Sequence, residues 1–375
     1  MINKDRVLKE FFELVQITCS TKAERQVADV VGARLTALGG ELSEDNVGEK
    51  IGGNCGNLFA YFQGTVPEAP TILFSAHLDS VEPCAGIVPK LENGIITSAG
   101  DTILGADCKA GVVGILEALR VAKEGNIPHG DIQVVFTVAE EGGVNGSKLM
   151  DQSRLQADMG FVLDSSGAPG RVIVMAPGQN KLDITITGKT AHAGIAPEDG
   201  VNAIVVAGKA MAKLNHGRID FETTANIGKI SGGGATNIVT DKVTITAEAR
   251  SRNAQKLSDQ TRHMVETFEQ VAAANGAKAD VKVTKSYDPF VLTEDMAVVK
   301  VCCKAAEAIG LKPVLEGTGG GSDANFFNLY GVPSAVLGVG MSKVHTTDEY
   351  IKEEDLYKTA ELAVSIIRQA AMMKK

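Results

Sequence analysis

Short apolar runs bounded by turn residues alternate with longer amphipathic segments along much of the chain. The runs predict β-strands at 57–62, 71–77, 131–141, 160–166 and 334–340, and the longer segments predict helices at 109–125 and 298–310. Continuous Val, Ile, Leu and Phe runs separated by helices are typical of strands that are buried on both faces. The pattern therefore predicts an α/β fold with a mainly parallel sheet flanked by helices.

The pattern changes between residues 178 and 290, where strands and helices follow in the order β-α-β-β-α-β. This order is typical of a ferredoxin-like α+β domain. Alternating apolar and polar positions in DKVTITAEAR (241–250) predict a sheet with one open face. We therefore expect a large α/β domain formed by 1–177 and 291–375, with 178–290 inserted into it. Prolines in 176–180 and 288–291 mark two candidate hinges at the junctions.

Acidic residues and histidines stand where the predicted strands of the large domain end, or just before the helix at 109. They are His77, Asp79, Asp107, Glu140, Glu141, Asp164 and His345. Taken singly, each has an ordinary structural explanation: a turn or helix cap, a solvated acidic pair, or a buried imidazole. Taken together, they favour a shared role, because ligands bind beyond the carboxyl ends of parallel strands.

Two histidines with several carboxylates make a nitrogen and oxygen donor set that suits Zn²⁺ and tolerates Mn²⁺ or Co²⁺. The donors suffice for two metal ions if one carboxylate bridges them. A metal pair polarises a scissile carbonyl and shares one hydroxide nucleophile. A neighbouring carboxylate outside the metal shell then serves as general base. Adjacent Glu140 and Glu141 could divide these roles, because consecutive strand residues point in opposite directions.

Composition and charge narrow the function further. The chain has 375 residues, of which 44% are hydrophobic, and its net charge is −9. With no long basic run, we expect neither a nucleic-acid partner nor an anionic membrane partner. We also expect no membrane span, because no apolar window approaches about 20 residues. The N-terminal segment 1–16 indicates an amphipathic helix rather than a signal peptide. Six scattered cysteines without a disulfide pattern favour the cytoplasm.

Six motifs in this order resemble a known family: SAHLDSV, GADCKAG, EEGGVNGSK, LDSSG, TAHAG and VHTTDEY. The chain resembles the dinuclear zinc exopeptidases that include peptidase T, carboxypeptidase G2 and aminoacylase-1. PEDGVNAI and GTGGGSDAN are most similar to the peptidase T, or tripeptide aminopeptidase, branch. The resemblance spans essentially the whole chain and implies two Zn²⁺ per chain, a short peptide substrate, and a homodimer formed through the inserted domain, which also acts as a lid.

The resemblance also implies a division of labour among the candidate residues. One zinc would be held by His77, Asp107 and Asp164. The other would be held by Asp107, Glu141 and His345, which makes Asp107 the bridge. Asp79 would orient His77 without binding metal, and Glu140 would be the general base.

Five further residues match substrate-contacting positions of the family: His192, Asn237, Arg250, Gly320 and Ser322. In the dimeric relatives the residue matching His192 helps to stabilise the tetrahedral oxyanion in the partner subunit. Arg250 would clamp a substrate carboxylate with its bidentate fork. Alternatively, His192 is a surface loop residue and Arg250 a strand-end charge, with Arg252 as a competing candidate. The glycines before Ser322 could equally form a tight loop.

One position departs from the family pattern. Cys108 follows the bridging aspartate, where this branch often has Asp or Asn. Its thiol could be a soft extra ligand or an oxidation site, but a small buried filler fits better.

The resemblance thus predicts a cytoplasmic, zinc-dependent aminopeptidase of the peptidase T type. Three alternatives stay open on sequence. The same scaffold could act as an N-acyl amino acid deacylase or a dipeptidase. The chain could be a catalytically dead binding protein, although all proposed ligands and Glu140 are present. Lastly, it could belong to a second dinuclear aminopeptidase family, whose inserted domain is barrel-like.

Overall fold

Four neighbouring parallel strands end at the same edge of a large mixed sheet in the computed structural model, which describes residues 1–375. The helices are α1 (Lys4–Val15), α2 (Arg25–Leu38), α3 (Val47–Ile51), α4 (Ala106–Glu124), α5 (Asn145–Leu149), α6 (Ala203–Met211), α7 (Ala254–Ala274), α8 (Ala297–Ala308), α9 (Asp323–Leu329) and α10 (Glu353–Ala371). Short 3₁₀ turns occur at Gln152–Arg154 and Pro197–Asp199.

The strands are β1 (Glu41–Glu44), β2 (Leu58–Phe62), β3 (Ile72–His77), β4 (Pro89–Glu92), β5 (Ile95–Ser98), β6 (Ile132–Thr137), β7 (Met159–Ser165), β8 (Arg171–Ala176), β9 (Gly178–Thr187), β10 (Gly217–Arg218), β11 (Thr223–Gly232), β12 (Lys242–Ser251), β13 (Lys278–Tyr287), β14 (Phe290–Val291), β15 (Val314–Gly317), β16 (Ser334–Gly338), β17 (Met341–Ser342) and β18 (Tyr350–Lys352). The chain divides into two compact units. One comprises residues 1–175, 292–317 and 322–375, and the other comprises 176–291 and 318–321.

The first unit is built on a sheet with the strand order β1-β2-β6-β3-β7-β16-β8. Strands β6, β3, β7 and β16 run parallel, whereas β1 and β2 pair antiparallel with their neighbours. Strand β8 pairs antiparallel with β16 and parallel with β15. All residues of β3 and β6 are buried, as their continuous apolar sequences predict. The predicted parallel sheet is therefore present, with antiparallel strands at its margins.

Helix α4 lies close against β7, and a glycine makes that approach possible. A Cβ atom on Gly111 would lie 2.1 Å from the carbonyl oxygen of Leu163. Regular helical geometry begins only after Cys108, because Asp107 and Cys108 have non-helical backbone angles. This irregular entry turns Asp107 toward the strand ends. At the N-terminus α1 is amphipathic, as predicted, and buries Val7, Phe11 and Leu14. None of the helices has both the length and the hydropathy required to cross a bilayer.

The second unit contains an antiparallel sheet with the order β10-β11-β12-β9-β13. Helices α6 and α7 cover one face, and their apolar side chains pack with those of β9 and β12 around Phe268. Burial alternates along β12, so its other face is open, as predicted. The ferredoxin-like order is confirmed. Since the sheet ends at β10 and β13 without closing, the barrel-like alternative is wrong.

Candidate active site

The ends of the parallel strands gather the predicted ligands in the first unit. His77 ends β3, Asp164 lies near the end of β7, and Glu140 and Glu141 follow β6. Asp107 lies at the irregular start of α4, and His345 follows β17. Ligand atoms of these residues form three groups, each within 4.8 Å: His77, Asp107, Cys108 and Asp164; His77, Glu140 and Glu141; and Asp107, Glu141 and His345. The gathering at one edge follows from parallel strands.

His77 is buried at the centre of the first group. Its Nε2 atom lies 3.0 Å from Oδ1 of Asp107 and 3.5 Å from Oδ1 of Asp164. Its Nδ1 atom lies 3.0 Å from the carbonyl oxygen of Asp79 and 3.4 Å from Oδ1 of that residue. Contact on Nδ1 leaves Nε2 directed at the two carboxylates, the orientation that a metal-binding imidazole requires.

His345 forms the second group from the opposite side. Its Nε2 atom lies 2.9 Å from Oε1 of Glu141 and 3.3 Å from Oδ2 of Asp107. The two oxygens of Asp107 therefore face different imidazoles, which is the arrangement of a carboxylate able to bridge two metal ions. His345 has a φ of 64°, in the left-handed region. Its side chain is 52% exposed, in contrast to buried His77.

Asp79 does more than the sequence predicts. Its Oδ1 accepts a hydrogen bond from the backbone N–H of Glu140 (3.0 Å), and its Oδ2 accepts from the N–H of Glu141 (3.2 Å) and the hydroxyl of Thr21 (2.7 Å). A second buried carboxylate, Glu24, accepts from the N–H of Ala139 at 3.0 Å. Two acids therefore hold three successive amides of the turn that carries the Glu140–Glu141 pair.

Electrostatics at this edge favour a bound cation. Burial alone would lower the pKa of His77, but Asp164 and Asp107 raise it well above its usual range. Hydrogen bonds to Asp107 and Glu141 raise the pKa of His345 to about 10. Burial raises the pKa of Asp164 to about 7. The carboxylates thus attract protons to the imidazoles, and a metal ion would compete for the same positions.

Burial, followed by the charge of Asp164, raises the pKa of Glu140 well above its usual range. A glutamate whose pKa is raised binds a proton more strongly than a free one, which suits a group that accepts a proton and then returns it.

Two buried acids that the sequence reasoning missed support the site. Both carboxylate oxygens of Asp323 accept hydrogen bonds, Oδ1 from Ser147 (2.6 Å) and Oδ2 from Thr137 (2.5 Å). Glu349 accepts from three backbone N–H groups in the segment 104–107. Asp323 lies in the motif GTGGGSDAN, and Glu349 lies in the motif VHTTDEY. Their position beside the predicted site residues Ser322 and His345 could have identified them from the sequence.

Cys108 has the environment of a structural thiol. It is fully buried, and its Sγ donates a hydrogen bond to the carbonyl oxygen of Leu163 at 2.8 Å. Burial raises the pKa of this thiol well above its usual range. Metal binding by cysteine requires the thiolate. Although Sγ lies within the first ligand group, its hydrogen bond therefore favours the buried-filler interpretation.

His192 and Asn237 lie together in the second unit. The loops that carry them are joined by a hydrogen bond from the N–H of Ala193 to the carbonyl oxygen of Asn237 (2.9 Å). The exposed ring of His192 accepts at Nδ1 from the N–H groups of Gly194 (3.2 Å) and Ile195 (3.1 Å). Because Nδ1 is an acceptor, the proton of the neutral ring is assigned to Nε2, which can donate to a ligand.

Arg250 is paired with a neighbouring acid in the same unit. Its Nε donates to Oε1 of Glu248 at 2.8 Å, and its Nη2 donates to Oε2 at 3.2 Å. Nη1 lies 3.5 Å from the hydroxyl of Tyr287. The side edge of the guanidinium is therefore occupied, and its end edge retains N–H groups for a second carboxylate. Arg252 instead donates to the carbonyl oxygen of Phe221.

Gly320 and Ser322, the two predicted substrate contacts in the glycine-rich motif, belong to different units. Gly320 belongs to the segment 318–321 of the second unit, and a Cβ atom on the next residue, Gly321, would collide with the ring of Tyr287. Ser322 belongs to the first unit and is buried at the start of α9, where its N–H donates to Oδ1 of Asn325 (3.0 Å). This position gives Ser322 the role of a helix-capping residue.

The donor chemistry of the first unit fits two metal ions. Two imidazoles and several carboxylates, with Asp107 shared between both groups, match the nitrogen and oxygen ligands of Zn²⁺ and related ions. The excess of acids over imidazoles supplies the negative charge that such ions need.

Comparison with known proteins agrees with this geometry. The chain is 45% identical to an uncharacterised protein, YqjE, of Bacillus subtilis strain 168, covering 99% of this chain and 100% of that protein. It is similar to the crystal structure of aminopeptidase PepT from Bacillus cereus ATCC 10987, with a TM-score of 0.93, 48% identity and 99% coverage of each chain. It is also similar to a tripeptidase structure from Staphylococcus aureus Mu50, with a TM-score of 0.97, 41% identity and full coverage of both chains.

A family model matches residues 73–369, which include every proposed metal ligand. The predictions of the fold class and of a metal-dependent peptidase are thereby confirmed. The chain belongs to peptidase family M20/M25/M40.

Proposed function

We propose that this peptidase is a dinuclear zinc aminopeptidase that removes the N-terminal residue from short peptides, tripeptides in particular. The observation that carries the proposal is the position of Asp107, whose two carboxylate oxygens face His77 and His345. Two solved structures that are similar to this chain over nearly its whole length are an aminopeptidase and a tripeptidase. Co²⁺ or Mn²⁺ would be possible substitutes for zinc.

In this proposal His77, Asp107 and Asp164 hold one zinc ion, and Asp107, Glu141 and His345 hold the other. When bound, such a pair polarises the scissile carbonyl and lowers the pKa of water. Glu140 takes a proton from the attacking water and returns it to the leaving amine. Its raised pKa supports this role, and Asp79 keeps Glu140 in place through the backbone.

The second unit would bind the substrate and act as the lid over a catalytic domain that corresponds to the first unit, residues 1–175, 292–317 and 322–375. We assign the end edge of the Arg250 guanidinium to the substrate carboxylate. Nε2–H of His192 would stabilise the oxyanion in the second subunit of a dimer. The two N–H groups on Nδ1 support that role, because they fix the tautomer. Asn237 and Gly320 would contribute further polar contacts, whereas Ser322 would act through α9.

The homodimer would form through one side of the second unit. Strand β11 pairs with β10 only near its start, at Thr224 and Ala225, so the part of β11 after Ala225 has no strand paired with it on that side. Ile230 on β11 and Ile204 and Val205 on α6 are exposed. An open strand edge beside exposed apolar side chains is a ready surface for a second copy. Light scattering on the wild type and on Val205→Glu measures the association of the chains. A monomeric wild type would contradict the proposed homodimer.

We place the enzyme in the cytoplasm. All six cysteines are free, and five of them are buried. Free thiols are the usual state in a reducing compartment.

The deciding experiment combines zinc analysis with a substrate panel: a tripeptide, its N-acetylated form, a dipeptide and an acetyl-amino acid. We expect two zinc ions per chain and cleavage of the tripeptide with the free amine. Glu140→Gln provides the matched control for contaminating peptidases. Cleavage of only the acetyl-amino acid would reassign the enzyme as a deacylase, and cleavage of only the dipeptide as a dipeptidase. If the wild-type protein bound no zinc and cleaved none of these substrates, the proposal would be contradicted.

A further inference from the structure

Glu349 is a buried acid whose carboxylate binds the backbone that precedes α4. Oε2 accepts from the N–H groups of Leu104 (2.9 Å) and Gly105 (2.8 Å), and Oε1 accepts from the N–H of Asp107 (3.0 Å). The residue is 1% exposed. Charge-assisted hydrogen bonds of this kind are stronger than bonds between neutral groups. Glu349 therefore fixes the backbone at the shared ligand Asp107.

The same residue is the buried anchor of the segment that carries His345. Residues 345–348 are exposed, whereas Glu349 is buried and is followed by β18, which pairs with β5. Its N–H donates to the carbonyl oxygen of Thr346 at 3.1 Å. The anchor of the His345 segment is thus bonded directly to the backbone of Asp107, whose Oδ2 faces His345.

The two ligand groups depend on this connection unequally. In the first group, His77 and Asp164 lie on the buried parallel strands β3 and β7, which hold them independently of Glu349. In the second group, His345 lies in an exposed segment and has a left-handed backbone conformation. Loss of the Glu349 anchor would therefore disturb the Asp107–Glu141–His345 group more than the His77–Asp107–Asp164 group.

We infer that Glu349 is a positioning residue that joins the His345 segment to Asp107 and thereby sets the metal affinity of the Asp107–Glu141–His345 group. This inference rests on the proposed dinuclear site. A merely structural role, in which the carboxylate only satisfies the N–H groups at the start of α4, predicts a different result. If Glu349 had only that role, its replacement would lower thermal stability and would reduce the metal affinity of both groups equally or of neither.

The test measures zinc per chain by mass spectrometry at a series of buffered free zinc concentrations. In the wild type we expect two zinc ions. For Glu349→Gln we expect one zinc ion to bind as in the wild type, and the second to require about 10- to 100-fold more free zinc, the usual effect of removing a residue that supports a ligand. Glu354→Gln is the matched control, because Glu354 is an exposed glutamate in the first turn of α10.

A double variant shows which position is affected. His345→Ala removes a ligand of the second group directly, so adding Glu349→Gln to it should cause little further loss of the remaining zinc. Clear further loss in the double variant, equal weakening of both positions, or wild-type binding by Glu349→Gln would overturn the inference. Thermal melting and circular dichroism show whether each variant is folded.

If Glu349→Gln does not fold, Glu349→Asp replaces it. This variant keeps the charge but is one methylene shorter, so it should also weaken the second zinc more than the first, and equal zinc binding would overturn the inference. A wild type that binds no zinc would instead refute the dinuclear proposal itself, and this inference with it.

Discussion

The carboxylate of Asp79 accepts the backbone N–H of Glu140 at 3.0 Å. The residue that follows the candidate ligand His77 by two positions thus also holds the candidate general base. Its other oxygen accepts from the N–H of Glu141 and from Thr21. Ligand orientation and base position therefore depend on one buried carboxylate.

Asp79→Asn tests this double role. In the variant, the amide N–H₂ group would face a hydrogen-bond donor that now donates to the Asp79 carboxylate, so one of these bonds would be lost. The substitution would also remove the negative charge beside His77. We expect kcat to fall about 10- to 100-fold while the fold, followed by circular dichroism, is retained. Thr21→Val is the matched control, because it removes a single bond to Asp79 and should cost less. An unchanged kcat in Asp79→Asn would contradict the role.

Glu140 and His345 should separate proton transfer from metal binding. Glu140→Gln should retain both zinc ions and lose about 10²- to 10⁴-fold in kcat, the range for loss of general acid–base catalysis. His345→Ala should lose one zinc ion, because its Nε2 lies between Glu141 and Asp107. Zinc content and steady-state kinetics are measured on the same preparations. Equal zinc loss in both variants would refute this division of labour.

The carboxylate clamp predicts a difference between two matched substrates. Arg250→Ala should raise KM about 10- to 100-fold for a tripeptide with a free carboxylate and have little effect on the corresponding tripeptide amide, because the lost hydrogen bonds are to a charged group. Arg252→Ala is the control, since its guanidinium contacts the carbonyl oxygen of Phe221. If Arg250→Ala affects the acid and the amide alike, Arg250 has another function.

The metal-free protein should become less stable as pH rises. The pKa of Asp164 is raised to about 7 and that of His345 to about 10, both above their ordinary values. The folded chain therefore binds more protons than the unfolded chain from about pH 4 up to about pH 10, so stability is lost as pH rises through these pKa values. We expect Tm of the metal-free protein to fall between about pH 6 and 10.

Added zinc should reverse that trend. Its ligands must be deprotonated, so zinc binds more tightly as pH rises and then stabilises the folded state. His345→Ala without metal should show a smaller fall in Tm above about pH 7. If the Tm of the metal-free wild type rose between about pH 6 and 10, the raised pKa values of Asp164 and His345 would be contradicted.

The sequence by itself determined the fold class, the candidate ligands and the principal strands and helices that carry them. Apolar runs predicted β3 and β6, and the period of two along 241–250 predicted the open face of β12, because burial leaves a local trace in the sequence. Acids and histidines at strand ends predicted a shared edge, because parallel strands necessarily end on the same side. His77 and Asp164 are two candidates that this reasoning placed at that edge, and they lie there in the structure.

The tertiary structure alone decided how these residues are supported. Glu349 binds the N–H of Asp107 across 242 positions, and Glu24 binds that of Ala139 across 115. No repeating pattern in the sequence predicts such a pair, because the two residues come together only when the strands and helices pack. The bond from Asp79 to the Glu140–Glu141 turn and the sharing of Asp107 between two imidazoles have the same origin. Local sequence thus specified which groups reach the edge, and packing specified which of them touch.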